Sequence, residues 1–373
     1  MNKTADRLFV VVCAAFIAFF GISVIIGPHK SFSEAENRVL SKFPKVSAES
    51  VLSGEISYGI GRFYEDQFPY RRGWTSLKAL SERSMMRFEN NDIIFGSEGY
   101  LIKNHTYEDT ETYVANLKSI EEFCKKYNSK GIETEIFFAP RGVDVLKDKL
   151  PTLYSNSENR MIWELAQKKL PTLLEANREI ENGVMSGEYL WYRNDHHWTP
   201  LGAYEGYKKI AARFGRTAED ISSFNYESIS KEFLGSVWSE AGILGGVCDE
   251  LFILRGKEEC SVINYDTEEI YDSFYFMEKA ETKDKYGVFM GGNFGHIGTY
   301  GEGDRDTLVI IKDSFANCLV PFLTLDFNIE MYDLRYFEGR ISEEIERVKT
   351  DKILIIYGID SVITDASLKS LGR

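Results

Sequence analysis

The last third of the sequence alternates continuous apolar runs with stretches of helical periodicity. Residues 307–311 and 353–357 are continuous apolar runs, a further strand is predicted near residues 329–334, and helical segments begin near Phe315 and Ser342 between them. Apolar runs without polar alternation are typical of strands that are buried on both faces of a sheet. Helices that separate such strands cover the two faces, so the pattern predicts an α/β fold with a mostly parallel sheet.

The same alternation is present earlier in the chain. It predicts a hairpin at residues 92–103, a helix from Thr110 to Gly131, a strand at 132–139, a helix at 163–177 and a short strand at 189–193. Thr199 as an N-cap and Pro200 at the first helical position then begin the clearest helix of the chain. Residues 222–281 have short, mixed, Gly-rich patterns that indicate only an insertion or a set of loops.

The N-terminal region contains an uncharged stretch of 19 residues, from Leu8 to Ile26. At 1.5 Å per residue a helix of this length crosses a hydrocarbon core of roughly 30 Å. Lys3 and Arg7 precede the stretch, which favours an N-terminus inside the cell and the remainder outside. We predict a single uncleaved membrane-spanning helix, with a cleaved signal peptide and a buried core helix as the alternatives.

The segment after this helix is polar, and residues 27–86 are predicted to be an irregular stalk followed by an arm. The aromatic residues of the arm are expected to pack onto the main body of the protein, and they are Phe63, Tyr64, Phe68, Tyr70 and Trp74. The predicted organisation is therefore a membrane anchor at residues 1–27, a stalk and arm at 28–90 and an α/β domain at 91–373.

Charge and cysteine content exclude several classes of function. A formal net charge of -14 and a pI near 5.0 argue against a nucleic-acid-binding protein, which needs a basic surface. The five cysteines contain no Cys-x-x-Cys pair, so neither a zinc cluster nor a thioredoxin-like site is indicated. Cys248 and Cys260 are close enough in sequence to form a small disulfide loop in an oxidising compartment, but we expect the cysteines to be small buried apolar residues.

Two of the five histidines are adjacent, in the run Asp195-His196-His197-Trp198. This run lies between the strand predicted at 189–193 and the N-terminus of the Thr199 helix, where ligands bind in open α/β folds. In an extended backbone the side chains of Asp195 and His197 point the same way and His196 points the opposite way. The pattern therefore predicts His197 as a base, with His196 and Trp198 as structural residues at the site.

Ser314 follows the apolar strand at 307–311 directly and precedes a helix. A serine on such a turn presents its hydroxyl group at the sheet edge, beside helix N–H groups that can stabilise an oxyanion. Together with His197 and Asp195 it forms a plausible catalytic triad. One alternative is that Ser314 only caps the helix, and another is that Asp195, His196 and His197 bind a metal ion, although their spacing is not a recognised zinc signature. We predict no cofactor and no metal ion.

The run Asp195-His196-His197-Trp198-Thr199 resembles the DHHW protein family, which is similar to the alginate O-acetyltransferase-like branch of the SGNH hydrolases. Further segments that look like this family are residues 33–38, 65–71, 291–293, 312–317 and 333–336. The resemblance implies an SGNH-hydrolase-like three-layer fold in residues 91–373. It also implies that Ser314 carries an acetyl group, that His197 deprotonates it and that Asp195 orients His197.

The resemblance further implies the oxyanion-stabilising and substrate-binding residues, which are Gly292, Asn293, Asn317, Arg335 and Arg141. For the two arginines the alternatives are binding of an acidic sugar or the acetyl donor, and an ion pair at the surface. The implied function is O-acetyl transfer to a cell-surface or secreted polysaccharide outside the cytoplasm, with a multipass membrane O-acyltransferase supplying the acetyl group. The alternatives are a carbohydrate acetylesterase with the same triad and a noncatalytic protein of exopolysaccharide assembly.

Overall fold

The computed structural model describes residues 3–33, 38–85, 87–104, 110–152, 154, 157–256, 260–301 and 303–372. The chain divides into two compact units. The first unit is Met1–Arg87 with Ser239–Gly245, and the second is Phe88–Trp238 with Gly246–Arg373. The division into anchor, stalk and catalytic domain stays a prediction. Residues 34–37 of the family-like segment 33–38 and the histidine at position 105 lie outside the described residues.

Within its described residues the first unit contains four complete helices, the end of a fifth, and a short pair of antiparallel strands. The helices are α1 (Lys3–Ile26), α2 (Ala48–Leu52), α3 (Glu55–Gln67) and α4 (Arg71–Ser84), and the strands are β1 (Phe32–Ser33) and β2 (Arg38–Val39). Among the described residues α1 is the one helix long and apolar enough to cross a membrane. Its side chains are almost all exposed, so the alternative of a buried core helix is wrong.

The prediction that residues 27–86 are irregular is also wrong, because α2, α3 and α4 lie in this segment. The segment is mostly polar and few of its side chains are buried, so the sequence shows no apolar helical periodicity there. Phe63 of α3 is 3% exposed and its ring contacts the rings of His29 and Phe43 in the same unit, whereas Tyr70 is 83% exposed. The arm aromatics therefore do not share one packing role.

The second unit contains the remaining helices and strands. Its strands are β3 (Glu89–Asn90), β4 (Ile93–Phe95), β5 (Leu101–Lys103), β6 (Glu133–Ala139), β7 (Asn225–Phe233), β8 (Asp249–Arg255), β9 (Cys260–Asn264), β10 (Glu269–Tyr271), β11 (His296–Gly301), β12 (Thr307–Lys312), β13 (Asn328–Tyr332) and β14 (Lys352–Gly358). Its helices are α5 (Thr110–Ser129), α6 (Gly142–Val145), α7 (Ser157–Lys169), α8 (Asn177–Met185), α9 (Pro200–Arg213), α11 (Phe315–Leu323), α12 (Ile341–Val348) and α13 (Ile359–Thr364), and α10 (Ser236–Ala241) begins in it.

The main sheet has seven strands in the order β10-β9-β11-β13-β12-β14-β6. The pairs among β13, β12, β14 and β6 are parallel, and those among β10, β9, β11 and β13 are antiparallel. The sheet is therefore mixed, and the prediction of a mostly parallel sheet is wrong. In the antiparallel half, β9 and β10 lie within residues 222–281, where the sequence pattern was too short and mixed to assign, whereas β11 and β13 lie after that region.

Helices cover both faces of the parallel half of the sheet. Alternate side chains of β12 and β14 enter two different clusters, with Leu308, Ile310, Leu354 and Ile356 on one face and Val309, Ile311, Ile353 and Ile355 on the other. The first group packs with α9 and α11, and the second packs with α5, α12 and α13. This double burial explains why these strands read as continuous apolar runs. Their carboxyl ends meet at one edge of the sheet, where the site lies.

Most of the other elements confirm the prediction, and two differ. The helix predicted at 163–177 ends at Lys169, shortly before Pro171, because proline removes a helical hydrogen bond and disfavours the helical conformation before it. Residues 189–193 form no strand and contain one isolated bridge, between Trp191 and Trp198. Among the five cysteines, which are all free thiols, Cys124 and Cys318 are buried as expected, whereas Cys13 and Cys248 are exposed and Cys260 is half-buried.

Candidate active site

Ser314 lies on the turn between β12 and α11, and its conformation is held from both sides. The Asp313 carboxylate accepts hydrogen bonds from the Phe315 N–H at 3.0 Å and from the Gly358 N–H at the end of β14 at 2.8 Å. A Cβ atom on Gly358 would lie 2.5 Å from the Phe315 ring, so this close approach requires glycine. The Ser314 side chain makes no helix-capping hydrogen bond, which argues against the simple cap as its role.

The Ser314 hydroxyl group is hydrogen-bonded to His197, which is in turn hydrogen-bonded to Asp195. The distance from His197 Nε2 to Ser314 Oγ is 2.8 Å, and the distance from His197 Nδ1 to Asp195 Oδ1 is 2.6 Å. Trp198 is fully buried and its Nε1–H donates to the Phe315 carbonyl oxygen at 3.2 Å. This bond connects the histidine loop, residues 193–198, to the turn at residues 313–315. The structure thus brings together the three residues singled out in the sequence.

The second oxygen of Asp195 is held by a residue that the sequence did not indicate. Asp195 Oδ2 accepts hydrogen bonds from the Ser236 N–H at 2.8 Å and the Ser236 hydroxyl group at 3.0 Å. Burial alone would raise the pKa of Asp195, but the neighbouring imidazole rings of His197 and His196 and these hydrogen bonds lower it below the ordinary value. Asp195 is therefore a carboxylate whose two oxygens are both oriented.

His196 does not point away from His197, as the extended-backbone prediction required. The two imidazole rings lie 3.8 Å apart between centroids. The reason is local, because the Asp195 side chain accepts a hydrogen bond from the His197 N–H at 3.0 Å and so folds the segment into an Asx turn. His196 Nδ1 lies 2.6 Å from Ser236 Oγ, and burial together with the neighbouring His197 lowers the pKa of His196.

Two aromatic rings enclose the His197 imidazole. The Tyr286 ring is stacked on it with 3.9 Å between centroids and 4° between planes, and the Phe315 ring lies 4.9 Å away. Like Ser236, Tyr286 belongs to a stretch with no distinct sequence motif. Only the tertiary fold brings these two residues to the imidazole, so a pattern search along the sequence had no signal for them.

The start of the histidine loop is held by Asp249, which is fully buried. Its carboxylate accepts hydrogen bonds from the Arg193 N–H at 2.9 Å, the Asn194 N–H at 2.7 Å and the Tyr189 hydroxyl group at 2.6 Å. Burial raises the pKa of Asp249. A carboxylate of β8 therefore replaces the strand hydrogen bonds that the segment lacks.

A pocket of about 250 Å³ opens beside Ser314, and Arg141 and Arg335 line it. Each arginine is held by a carboxylate. Arg141 is 5% exposed and donates two hydrogen bonds to Asp144, both at 3.1 Å, while Arg335 donates to the fully buried Asp333 at 2.8 and 2.6 Å. The ion pair expected for each arginine exists, but that of Arg141 is buried rather than on the surface. The remaining lining residues include Lys103, Trp191, Asp360 and Ser361.

Gly292, Asn293 and Asn317 do not line this pocket. They form a network of their own, in which Asn317 Nδ2 donates to the Gly292 carbonyl oxygen at 3.1 Å and to Asn293 Oδ1 at 3.2 Å. Lys312, fully buried at the end of β12, donates to Asn317 Oδ1 at 2.7 Å, and burial lowers its pKa to about 8. The assignment of these three residues to oxyanion or substrate binding stays a prediction.

Asp195, His196 and His197 also have the composition of a metal site, and their ligand atoms lie within 4.8 Å of one another. Both ring nitrogens of His197 and Nδ1 of His196 are already hydrogen-bonded. A metal ion bound to these nitrogens would have to displace Ser314, Asp195 or Ser236. The residues therefore fit hydrogen bonding better than metal coordination.

This serine–histidine–aspartate arrangement on a mixed α/β sheet is accompanied by two family matches. Residues 178–333 match the model described as DHHW protein, and residues 93–235 match the model described as SGNH hydrolase-like domain, acetyltransferase AlgX. The resemblance stated from the sequence is therefore confirmed.

Individual relatives agree with these matches. A DHHW family protein from Eubacterium siraeum has the same fold, with a TM-score of 0.63 at 19% identity over 76% of this chain and 95% of that one. The structure of Bacillus cereus PatB1 with a sulfonyl adduct gives a TM-score of 0.60 at 18% identity over 74% and 98% of the two chains. A curated relative, probable alginate O-acetylase AlgJ of Pseudomonas fluorescens, is 22% identical over 189 residues. That match spans 48% of this chain and less than half, 46%, of the relative.

Proposed function

We propose that this chain is an extracytoplasmic O-acetyltransferase that acts on a cell-surface or secreted polysaccharide through an acetyl-serine intermediate. The observation that carries the proposal is the continuous hydrogen-bonded chain from Ser314 through His197 to Asp195. The names of the matched relatives, a probable alginate O-acetylase and an acetyltransferase domain, support acetyl transfer as the reaction.

In the first half-reaction Ser314 Oγ attacks the carbonyl carbon of the acetyl donor, and His197 Nε2 accepts the serine proton. Asp195 holds the imidazole ring in the tautomer that leaves Nε2 free to accept, and it stabilises the imidazolium ion that forms. The bond from the carbonyl carbon to the leaving group of the donor then breaks, and the proton on His197 passes to that leaving group. The product is Ser314 acetylated on Oγ.

In the second half-reaction a sugar hydroxyl group attacks the acetyl carbon, and its proton passes to His197. The bond between the acetyl carbon and Ser314 Oγ breaks, and the serine recovers the proton from His197. The oxyanion that develops in both steps needs nearby donors. The Ser314 N–H, which has no hydrogen-bond partner within the described residues, is our first candidate, and Gly292 and Asn293 are the donors implied by family resemblance.

The remaining parts of the proposal concern location and partners. Helix α1 anchors the chain as a single-pass protein of the cell membrane, and the second unit lies outside the cytoplasm. A multipass membrane O-acyltransferase delivers the acetyl group across the membrane. Arg335 and Arg141 line the pocket at Ser314 and are the residues proposed to position an acidic acceptor or donor, although each is already paired with a carboxylate, Asp333 or Asp144.

The decisive experiment is mass spectrometry of the chain after incubation with 4-nitrophenyl acetate. We expect one acetyl group on the peptide that contains Ser314 and none in the Ser314→Ala variant. Ser361→Ala is the matched control, because Ser361 lines the same pocket without a bond to His197, and it should leave the acetylation unchanged. Acetylation that persists in Ser314→Ala would exclude the proposed intermediate.

The same preparation separates the proposed transferase from the esterase, which uses water as the acceptor. An oligosaccharide acceptor is added to the acetylated chain, and acetylated sugar and free acetate are measured. More acetylated sugar than acetate supports the transferase, and acetate alone supports the esterase. A noncatalytic assembly protein would form no acetyl-serine at all. Loss of activity with a chelator, restored by zinc, would favour the metal alternative.

A further inference from the structure

We infer that helix α4 is a membrane-embedded element that lies in the outer leaflet beside α1, with Trp74, Leu77 and Leu80 against lipid acyl chains. The occupant of this apolar surface is therefore phospholipid. The inference rests on the proposed membrane anchoring by α1 and is independent of the chemistry at Ser314.

The first supporting observation is the contact between α1 and the chain around α4. The Phe20 ring of α1 is stacked on the Phe68 ring with 5.2 Å between centroids, and the Trp74 ring lies 5.8 Å from Phe20 and 6.5 Å from Phe16. Phe16 and Phe20 are inside the apolar stretch, about 15 and 9 Å below its outer end at Ile26, at 1.5 Å per residue. A helix α1 that spans the membrane therefore places Trp74 at the depth of the outer leaflet.

The connection between α1 and α3 keeps these aromatic residues at that level. The Gln67 side chain donates to the Lys30 carbonyl oxygen at 2.9 Å and accepts from the Lys30 N–H at 3.0 Å. The end of α3 is thereby attached just beyond the end of α1. Phe68 and α4 follow directly, so they begin at the outer end of α1 and Trp74 reaches back to Phe16.

The second supporting observation is the distribution of side chains on α4. Trp74, Leu77 and Leu80 recur every third residue and are 42%, 55% and 66% exposed. The other face carries the buried Ser76 and Ala79, and the Ser76 hydroxyl group donates to the Gly242 carbonyl oxygen at 2.8 Å. A single exposed apolar residue is ordinary, but a stripe of three continuous with a membrane-spanning helix is typical of a lipid-facing surface.

The charge of α4 agrees with this location. Its sequence contains four Lys or Arg residues and one Glu, which gives a net charge of about +3, in a chain whose net charge is -14. An apolar stripe combined with basic residues is the composition of helices that lie in the membrane interface, where the cations meet anionic headgroups. The occupant that fits both features is a membrane that contains anionic phospholipid.

Tryptophan fluorescence provides the test, because Trp74 is the exposed tryptophan among the five, and Trp163, Trp191, Trp198 and Trp238 are all buried. The full chain is reconstituted into phosphatidylcholine–phosphatidylglycerol vesicles in which the phosphatidylcholine carries bromine atoms on its acyl chains. The emission lost on Trp74→Phe substitution reports Trp74 alone. We expect brominated lipid to quench at least half of this component and to leave the emission of the variant nearly unchanged.

A second pair of variants separates lipid contact from general effects. Leu77→Asp combined with Leu80→Asp should reduce the quenching of Trp74 at least twofold, whereas Met185→Asp, an exposed apolar position on α8, should not change it. Flotation of the vesicles confirms that the chain is anchored, and acetylation of Ser314 confirms that the second unit is folded. A failure of the proposed chemistry would leave the quenching intact.

Three outcomes would overturn the inference. If the chain floats with the vesicles but Trp74 is quenched by aqueous acrylamide and not by brominated lipid, α4 lies in water. If neither reagent quenches Trp74, protein covers the stripe, either a second copy of this chain or another membrane protein. A chain that does not float at all would show that α1 is no anchor and would remove the basis for an embedded α4.

Discussion

Single residues decide whether this site can form an acyl-enzyme. His197 is the residue on which the site converges, because it is hydrogen-bonded to Ser314 and Asp195 and lies between the Tyr286 and Phe315 rings. The adjacent His196 has its Nδ1 hydrogen-bonded to Ser236, and no hydrogen bond joins it to Ser314 among the described residues. The two histidines therefore have different predicted roles although they are neighbours in sequence and their rings are in contact.

Replacement of His197 or Ser314 by Ala should each lower kcat for an ester substrate by about 10³-fold or more, because the base and the nucleophile act as one unit. The double variant should be little worse than either single variant. Asp195→Asn should lose a similar amount or somewhat less, since the base remains but its tautomer and orientation are disturbed. Initial rates of 4-nitrophenyl acetate hydrolysis measure all four. Additive losses in the double variant would contradict a shared mechanism.

His196→Ala should retain turnover within about tenfold of the wild type, because the proton transfer to His197 Nε2 is untouched. The expected structural effect is a lower melting temperature, since the ring contact with His197 and the hydrogen bond to Ser236 are lost. Circular dichroism and the ester assay provide the two readouts. An inactive, fully folded His196→Ala beside an active His197→Ala would show that the histidines are assigned the wrong way round.

At the scale of elements, the site depends on how closely separate segments approach. Three segments meet around Asp195 and His197, and they are the turn after β12, the histidine loop before α9 and the start of α10. At two points there is no room for a side chain: a Cβ atom on Gly235, just before α10, would lie 2.3 Å from Asp195 Oδ2, and one on Gly358, at the end of β14, would lie 2.5 Å from the Phe315 ring. The spacing between elements is therefore as specific as the identity of the reactive groups.

Gly235→Ala should remove most of the esterase activity while the chain stays folded, because the added methyl group must displace the Asp195 carboxylate from His197 or from Ser236. Gly61→Ala on α3 is the control, since its Cβ would meet no atom within 4 Å. Activity and melting temperature are measured for both variants. Full activity in Gly235→Ala would mean that the backbone can move without cost at this point.

Lys312 at the end of β12 should make the free energy of unfolding change with pH in the alkaline range. Burial of the ammonium group lowers the pKa of Lys312 from its ordinary value of 10.5 to about 8 in the folded chain. Between these values the unfolded chain binds more protons, so the free energy of unfolding rises with pH from about 8 to 10.5, by about 3 kcal/mol at most. Below pH 8 Lys312 is protonated in both the folded and the unfolded chain, so it adds no pH dependence to the free energy of unfolding.

Lys312→Met should remove that rise, so the wild-type and variant stabilities should differ by a pH-dependent amount between pH 7.5 and 10.5. Denaturant unfolding of the detergent-solubilised chain at several pH values measures the difference, and titrations shared by both proteins cancel in it. The same substitution removes the hydrogen bond that orients Asn317 toward Gly292 and Asn293. If the free energies of unfolding of the wild type and the variant differed by the same amount at every pH, a lowered pKa for Lys312 would be contradicted.

At the scale of the whole molecule, the chain combines one apolar helix of membrane-spanning length with an α/β unit that contains the candidate site. The proposed acetylation of a surface polysaccharide requires the site to lie outside the cytoplasm. The basic residues Lys3 and Arg7 lie at the start of α1, before its uncharged stretch from Leu8 to Ile26, and this asymmetry favours the required orientation.

A protease added to intact cells should therefore remove the second unit and leave α1 in the membrane. An epitope at the C-terminus, followed by immunoblotting, reports the cleavage, and a cytoplasmic protein that survives the treatment shows that the cells stayed intact. Protection of the epitope until the membrane is permeabilised would reverse the topology and exclude the proposed location.

The elements whose signals are local could be predicted from the sequence. Continuous apolar runs predicted the buried strands β12 and β14, residues 132–139 predicted β6, and the Thr199–Pro200 pair predicted the start of α9. The positions of Asp195, His197 and Ser314 next to such elements indicated the candidate site. These predictions succeeded because a strand buried on both faces selects consecutive apolar residues and a helix start selects particular capping residues. Both therefore leave a signal in neighbouring residues of the chain.

Features that depend on residues distant in the chain could not be predicted in this way and are seen only in the folded protein. The antiparallel half of the sheet comes from strand pairing of short segments, which carry no period long enough to recognise. The direction of His196 follows from an Asx turn in place of the expected extended backbone. That turn is held by Ser236, 41 positions after Asp195, and by Asp249, 55 positions after Asn194. Hydrogen bonds and ring contacts of this kind form between surfaces that meet only after folding, so no local pattern in the sequence records them.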